Sequence, residues 1–397
     1  MSKVIIENNQ DTQVIVKESR RESGYRYRLL KTWAEINLPA LRHNIRYIKN
    51  NMKEGIDIMA VVKCNAYGHG AVEVSKQAVS LGVNVLGVSS LSEGIELRKE
   101  FDNIPIVILS SGMGGQAQEF IKYRLSPVVC SWEMVNALAA EAKKREETAK
   151  VHIKIDTGMG RIGVWHERAD EFVRQVYKMP EIEIEGVCSH FATSDEEDLS
   201  FSQYQLKWFN RFLEKIKDLP IKYKHISNTG AIFNLPESHL NMVRPGLSVY
   251  GISPSDFVRG VKELQPVLSL KTKVAFIKTI PPGRTLSYAR TFRTKKVMKV
   301  ATLPIGYGDG YPRALSNRGY VLLHGKKARI LGTVTMDQMM VDVTRIKDVK
   351  VEDAADLIGK QGDETISVTD IARKAGTIPY EILTNINKRV QRIYLDI

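Results

Sequence analysis

From about residue 38 the chain settles into a repeating alternation. Short apolar runs of strand length recur at Ile58–Val62, Asn84–Val88, Ile104–Leu109, Pro127–Val129, Val151–Ile155, Ile184–Cys188, Tyr223–Ile226 and Leu240–Val243. Between most of them lie segments with helical spacing: Ala71–Leu81, Leu91–Glu100, Trp132–Lys144 and Glu167–Met179. In the first of these, Ala71, Val74, Ala78 and Leu81 fall on one face, with Glu73, Lys76 and Gln77 between them. Eight strand–helix units over roughly 210 residues predict a (β/α)8 TIM-like barrel. A doubly wound open sheet is the alternative, but no glycine-rich turn of the dinucleotide-binding type follows the first strand.

After Gln265 the period changes. Val267–Ile280, Val297–Pro304, Tyr320–His324, Ala328–Val334 and Met339–Val343 read as strands joined by short turns such as His324-Gly325-Lys326-Lys327. This predicts a mainly antiparallel β domain. Two short helices are expected near the end, one starting at Ser367 with Asp370 completing a capping box, the other over Tyr380–Asn387. The expected division is a polar, basic extension over 1–30, a barrel over 31–266, and a C-terminal β domain over 267–397. Residues 31–37 are expected to form a strand that pairs with the β domain. Thr12–Lys17 alternates weakly, as a strand would, but the extension reads as a flexible or edge-packed arm.

With 397 residues, 43% of them hydrophobic and 26% charged, the chain has the composition of a two-domain globular protein. No stretch approaches the length of a membrane span. Val4-Ile5-Ile6 runs straight into Glu7-Asn8-Asn9-Gln10, without the apolar core of a secretory signal. Three scattered cysteines, Cys64, Cys130 and Cys188, supply neither a disulfide framework nor a metal cluster, so a reducing cytoplasm is expected. The net charge of +13 is spread along the chain rather than gathered in a block, which argues against nucleic-acid binding and for a small anionic ligand.

In a barrel, chemistry gathers where strands end. Ile58–Val62 is followed by Lys63-Cys64-Asn65-Ala66-Tyr67-Gly68-His69-Gly70. A lysine at a strand's end among apolar residues either snorkels to water or has a lowered pKa, and in the second case its neutral amine can condense with a carbonyl. The two glycines allow a ligand close to the backbone.

Val62 to Gly70 resembles the cofactor-lysine signature of the alanine racemases, fold-type III enzymes dependent on pyridoxal 5′-phosphate. Further blocks of the same resemblance follow in order: Lys154-Ile155-Asp156-Thr157-Gly158-Met159-Gly160-Arg161, His190-Phe191-Ala192-Thr193, His225-Ile226-Ser227-Asn228-Thr229, Arg244-Pro245-Gly246-Leu247, Ser287-Tyr288, Ile305 to Gly310 and Met336-Asp337-Gln338. The resemblance implies that Lys63 holds the cofactor covalently. It implies that Arg244 faces the cofactor's ring nitrogen, with His190 supporting the arginine. Tyr67, Thr229, Gly246, Leu247 and Tyr380 match the phosphate ligands. Tyr288 matches the second catalytic base, contributed by the partner subunit of a homodimer with shared active sites. Arg161 and the backbone of Met336 match the substrate carboxylate contacts, and Lys154 matches a lysine carbamylated in some members. Tyr307 and Tyr380 match a narrow gate sized for a methyl side chain, and Asp195 and Arg313 an outer corridor. The implied reaction is interconversion of L- and D-alanine, supplying D-alanine for peptidoglycan, with no metal and no membrane or nucleic-acid partner.

Four positions depart from the family's usual residues. Cys64 and Ala289 stand where alanine and glycine are common, Thr229 where serine is, and Thr335 precedes Met336 at a variable position. None removes a group the chemistry needs. The rival readings are a racemase of serine or of broad range, a fold-type III decarboxylase, and a cofactor-carrier protein. Retention of Tyr380 argues against the first, the lack of a glycine-triplet phosphate loop and of a cysteine-containing substrate motif against the second, and the β domain with Tyr288 against the third.

Overall fold

A computed structural model describes residues 3–6 and 29–396, so the segment Thr12–Lys17 lies outside the described residues. The chain separates into two compact units. One comprises the described residues up to Ala40, Tyr67–His69, and Pro266 onward; the other comprises Leu41–Ala66 and Gly70–Gln265.

The second unit is a parallel barrel. Its strands are Asp57–Val61, Val85–Val88, Ile106–Ser111, Ser126–Val129, Ala149–Asp156, Ile182–Cys188, Tyr223–His225 and Met242–Val243. They pair side by side in chain order, and the last returns to pair with the first. Each of the eight apolar runs overlaps one of them. A layer of Met59, Val85, Val107, Val128, Cys188, Tyr223 and Met242, drawn from seven strands, fills the interior. The ring is completed at one seam without a regular ladder. Between Tyr223–His225 and Met242–Val243, the Asn241 side chain accepts the Lys224 N–H at 2.8 Å and donates to the Lys222 carbonyl at 2.7 Å. The Arg244 N–H donates to the Ser227 carbonyl at 2.9 Å. The helices fall where the periodicity places them. Leu91–Glu100 starts from a capping box of Ser90 and Glu93, and Trp132–Arg145 from the Ser131 hydroxyl.

In the other unit, Lys3–Ile6, Gln391–Asp396, Thr32–Asn37, Leu268–Lys273, Ala354–Gln361, Tyr320–Leu323, Lys326–Leu331, Met339–Asp342, Met298–Leu303 and Phe276–Ile280 lie in that order across one sheet. Every pairing along this path is antiparallel except that of Thr32–Asn37 with Gln391–Asp396. Three details differ from the pattern's expectation. Val267–Ile280 is two strands, because Val274 and Ala275 turn their N–H groups to Asp353 and Thr302 and carry the chain to another part of the sheet. Ala354–Gln361, Glu364–Ile366 and Gln391–Asp396 are strands that the pattern did not reveal. The two closing helices, Val368–Ala375 behind the Ser367/Asp370 box and Pro379–Thr384, are therefore followed by a strand rather than ending the chain.

Candidate active site

Lys63 sits at the carboxyl end of the first barrel strand and opens an unusual turn. Cys64, Asn65 and Ala66 all adopt left-handed helical angles, with φ of 52°, 53° and 51°. Each such non-glycine residue costs on the order of 1 kcal/mol, so the turn must be held by its surroundings. The Glu93 carboxylate does much of this. Its Oε1 accepts the Cys64 N–H at 2.5 Å, and its Oε2 accepts the Ser89 and Ser90 N–H groups at 2.9 and 3.1 Å. Asn65 adds a second tie, its Oδ1 accepting the Ala71 N–H at 2.7 Å. Burial lowers the Lys63 pKa, with Arg161 and Arg244 adding to the effect against the opposing charges of Cys64 and Glu93. The turn thus presents a half-buried amine whose neutral form is made more accessible.

Deeper in the barrel mouth lies Arg244. It is buried, and burial brings it down to about 10, which leaves it protonated at neutral pH. Its NH1 group meets His225 Nδ1 at 2.7 Å. Its NH2 group reaches the carbonyls of Ser189 and Ile226 at 2.9 and 3.0 Å, and His190 Nδ1 at 3.1 Å. His190 and His225 are both held well below the usual imidazole range, first by burial and then by Arg244, Lys154 and other cations. Both rings are therefore neutral at pH 7 and accept from the arginine. His190 was expected here from the sequence. His225 was not, although its place two residues before Ser227 on an inward-facing strand marked it.

Lys154 is 7% exposed, two residues along the same strand face from His152. Burial, with Arg244 and Arg161 close by, brings its amine down to about 8. Arg161 is exposed, on a loop that Asp156 ties down by accepting the N–H groups of Gly158 and Gly160 at 2.8 and 3.1 Å. Thr229 Oγ1 accepts the Gly246 N–H at 2.9 Å, so Thr229, Gly246 and Leu247 come together as a buried group at the start of two short helical turns. This donor set, a depressed amine among buried cations and close-packed backbone N–H groups, fits an anionic cofactor bearing an aldehyde.

The β unit carries the other expected residues. Tyr288 is 74% exposed, on a turn where Ser287, Ala289 and Arg290 all have positive φ. The Ser287 hydroxyl donates to the Thr333 carbonyl at 2.6 Å, and the Thr333 hydroxyl donates to the Tyr288 carbonyl at 3.1 Å. Gly332 makes this approach possible, since a Cβ there would lie 2.8 Å from that of Ser287. Tyr307 and Met336 lie on adjoining loops, joined by the Tyr307 and Gly308 N–H groups bonding to the Thr335 and Met336 carbonyls. Arg389, not anticipated from the sequence, clamps both loops by pairing with Asp309 and Asp337 at 2.7 and 2.8 Å. The Tyr67 and Tyr380 rings pack 5.9 Å apart. Asp195 lies in the barrel unit and Arg313 in the β unit. Among the described residues no His, Cys, Asp or Glu cluster could hold a metal ion, and no helix is long and apolar enough to cross a membrane.

Comparison with known proteins points one way. A family model for the alanine racemase N-terminal domain matches residues 36–254, and one for the C-terminal domain matches 267–394. An alanine racemase of Carboxydothermus hydrogenoformans is 45% identical over 91% of this chain and 99% of its own length. One from Halothermothrix orenii is 46% identical over 91% and 96%. An alanine racemase structure from Clostridium difficile 630 superposes with a TM-score of 0.88 at 39% identity, over 92% of this chain and 96% of that one. A Bartonella henselae alanine racemase with covalently bound pyridoxal phosphate superposes with a TM-score of 0.83 at 28% identity, over 92% and 99%.

Proposed function

This chain belongs to the alanine racemase family, whose members are pyridoxal-phosphate-dependent isomerases, and we propose that Lys63 and Tyr288 are the two bases with which it interconverts L- and D-alanine. The observation that carries this reading is the pairing, in one barrel mouth, of a depressed amine at Lys63 with a buried, protonated Arg244. When bound, pyridoxal 5′-phosphate supplies an aldehyde for that amine and a ring that acidifies the substrate's Cα–H. Lys63 holds the cofactor. With cofactor and substrate bound, the Lys63 amine would take or return the Cα proton on one face and the Tyr288 hydroxyl would serve the other. Arg244 would donate an N–H toward the ring nitrogen without giving up its proton, which would keep the ring a moderate electron acceptor. Thr229, Gly246, Leu247, Tyr67 and Tyr380 hold the phosphate. Arg161 and the Met336 N–H take the substrate carboxylate, while Tyr307 and Tyr380 restrict the side chain to a methyl group.

The exposure of Tyr288 supports its delivery to a second copy of the chain in a homodimer. Lys154, uncharged part of the time near neutrality, is set to take up carbon dioxide as a carbamate and so remove one of several neighbouring cations. We place the enzyme in the cytoplasm, supplying D-alanine for wall synthesis. The test is chiral chromatography of the purified protein, loaded with pyridoxal phosphate, against a panel of L-amino acids. Alanine should be converted far faster than the rest. Comparable turnover of serine or lysine would overturn the substrate assignment. An intact visible cofactor band without racemisation would overturn the reaction.

A further inference from the structure

Below Arg244, a line of polar side chains descends through the barrel interior. His225 Nε2 meets His152 Nδ1 at 2.9 Å, and His152 Nε2 faces Glu185 Oε2 at 3.5 Å. Both rings are fully buried and Glu185 nearly so. The direction of every proton in this line follows from its top. An arginine N–H can only donate, so His225 Nδ1 must accept and the ring's proton must sit on Nε2. That proton points at His152 Nδ1, which must then accept, leaving the second ring's proton on Nε2. That proton faces the carboxylate. At 3.5 Å this last link is an alignment of dipole with charge more than a full hydrogen bond.

The backbone is shaped to admit this line. The register between Ala149–Asp156 and Ile182–Cys188 slips between Val151 and His152, so that Val151 faces Ile184 and His152 faces Gly186. Glu185 is the extra residue of this bulge, a device that re-aims a side chain. Its Oε2 also accepts the Ser126 hydroxyl at 3.1 Å, and its Oε1 lies 3.6 Å from Lys150 Nζ. The next residue must be glycine, because a Cβ at Gly186 would lie 2.4 Å from His152 Nδ1. Tyr223 stacks on the His152 ring at 6.0 Å with an 11° tilt and fixes its plane.

We propose that Glu185, acting through His152 and His225, is the remote counter-charge that fixes the orientation of Arg244 and the two imidazole tautomers beneath it. Glu185 and His152 are positioning residues in this scheme. No proton is transferred along the line. It acts as a set of aligned dipoles between a guanidinium at the barrel mouth and a carboxylate near the opposite end. By holding NH1 and NH2 in place, it leaves the arginine unable to swing away from a ring nitrogen placed before it. The inference rests on reading Arg244 as the partner of the cofactor ring, and its first test does not depend on that reading.

Nitrogen-15 NMR of the cofactor-free protein, labelled at histidine, reads the tautomers directly, with His152→Gln and His225→Asn used for assignment. His225 should be neutral and protonated on Nε2 from pH 6 to 9, and the neutral His152 ring should carry its proton on Nε2. A neutral form of either ring protonated on Nδ1, or titration of His225 in that range, would overturn the scheme. The second test is Glu185→Gln in the holoenzyme, which keeps an acceptor for His152 but loses the charge. By analogy with outer partners of metal ligands, kcat should fall roughly 10-fold or more with KM little changed. The pH dependence of the visible cofactor band should shift, and Glu185→Asp should recover part of the loss. A band, pH profile and kcat matching the parent's would sink the proposal even if the tautomers are as drawn. Should Glu185→Gln fail to fold, the tautomers of the unaltered protein still decide. Absence of racemisation in the parent enzyme, with the tautomers as expected, would count against the assigned reaction and not against the line.

Discussion

The barrel interior and the Tyr288 turn solve the same problem, aiming one functional group, by opposite means. Arg244 is aimed from below. Buried side chains and carbonyls saturate one edge of its guanidinium, and the bulge and Gly186 make room for them. Tyr288 is aimed by the turn that carries it. Its ring is largely exposed, while positive φ angles on either side and two hydrogen bonds to Thr333 set its direction. Lys63 combines the two, with a left-handed turn held by the Glu93 carboxylate. A buried network sets charge as well as position. A strained turn sets position only, and leaves the electrostatics of the side chain to whatever comes to cover it.

That contrast can be broken or sharpened by experiment. The largest effect belongs to Lys63→Ala, which should remove the visible band of the lysine-bound cofactor together with all turnover; a surviving band would place the linkage elsewhere. Tyr288→Phe should lower kcat by roughly 10²- to 10⁴-fold while keeping that band. Because the ring is exposed, the urea midpoint should hardly move. A large loss of stability would mean that Tyr288 is buried in the working enzyme more deeply than in one chain. Mixing the two variants should restore some turnover if sites are shared between subunits.

Acid stability separates the two regions further. Burial alone would raise the Glu185 carboxyl, but His152, Lys150 and Ser126 outweigh it and hold it at about 2. A depressed carboxyl stabilises the fold fully above its unfolded value of about 4.3 and loses that contribution as pH falls toward 2. Glu185→Gln should therefore be less stable than the parent at pH 6, and urea titrations should show the gap narrowing as pH falls toward 2.5. The smallest effect concerns Ala289, at φ 58°. Ala289→Gly removes a left-handed alanine and should stabilise the β unit by less than about 1 kcal/mol, the relief being partly offset by glycine's own entropy.

Much of this fold is legible in the sequence. Every barrel strand announced itself as an apolar run, because parallel strands covered by helices are buried on both faces. The alternation in Val151-His152-Ile153-Lys154 also signals that polar groups point inward, but it does not say what they meet. The relation of His152 to His225 and Glu185 depends on a register slip, which leaves no mark in composition or period. Gln391–Asp396 went unseen for another reason. Its buried arginine, Arg392, reads as polar, yet it is satisfied by the carbonyls of Gly68, Ile386, Asn387 and Val390. Arg389 likewise looks like an ordinary surface charge until Asp309 and Asp337 are seen on either side of it.

The seam in the barrel bears on how this enzyme breathes. Seven strand junctions are laced by ladders, while the eighth has a single backbone bond, from the Arg244 N–H to Ser227, supplemented by the side chains of Asn241 and Arg244. When the ring loosens, it should give way there before anywhere else, so its first opening motion would part His225 from Arg244. Slow exchange of the Arg244 backbone amide would then be a gauge of how long Arg244 stays in register, and Asn241 the place where natural sequence drift could tune that lifetime without touching Lys63 or Tyr288.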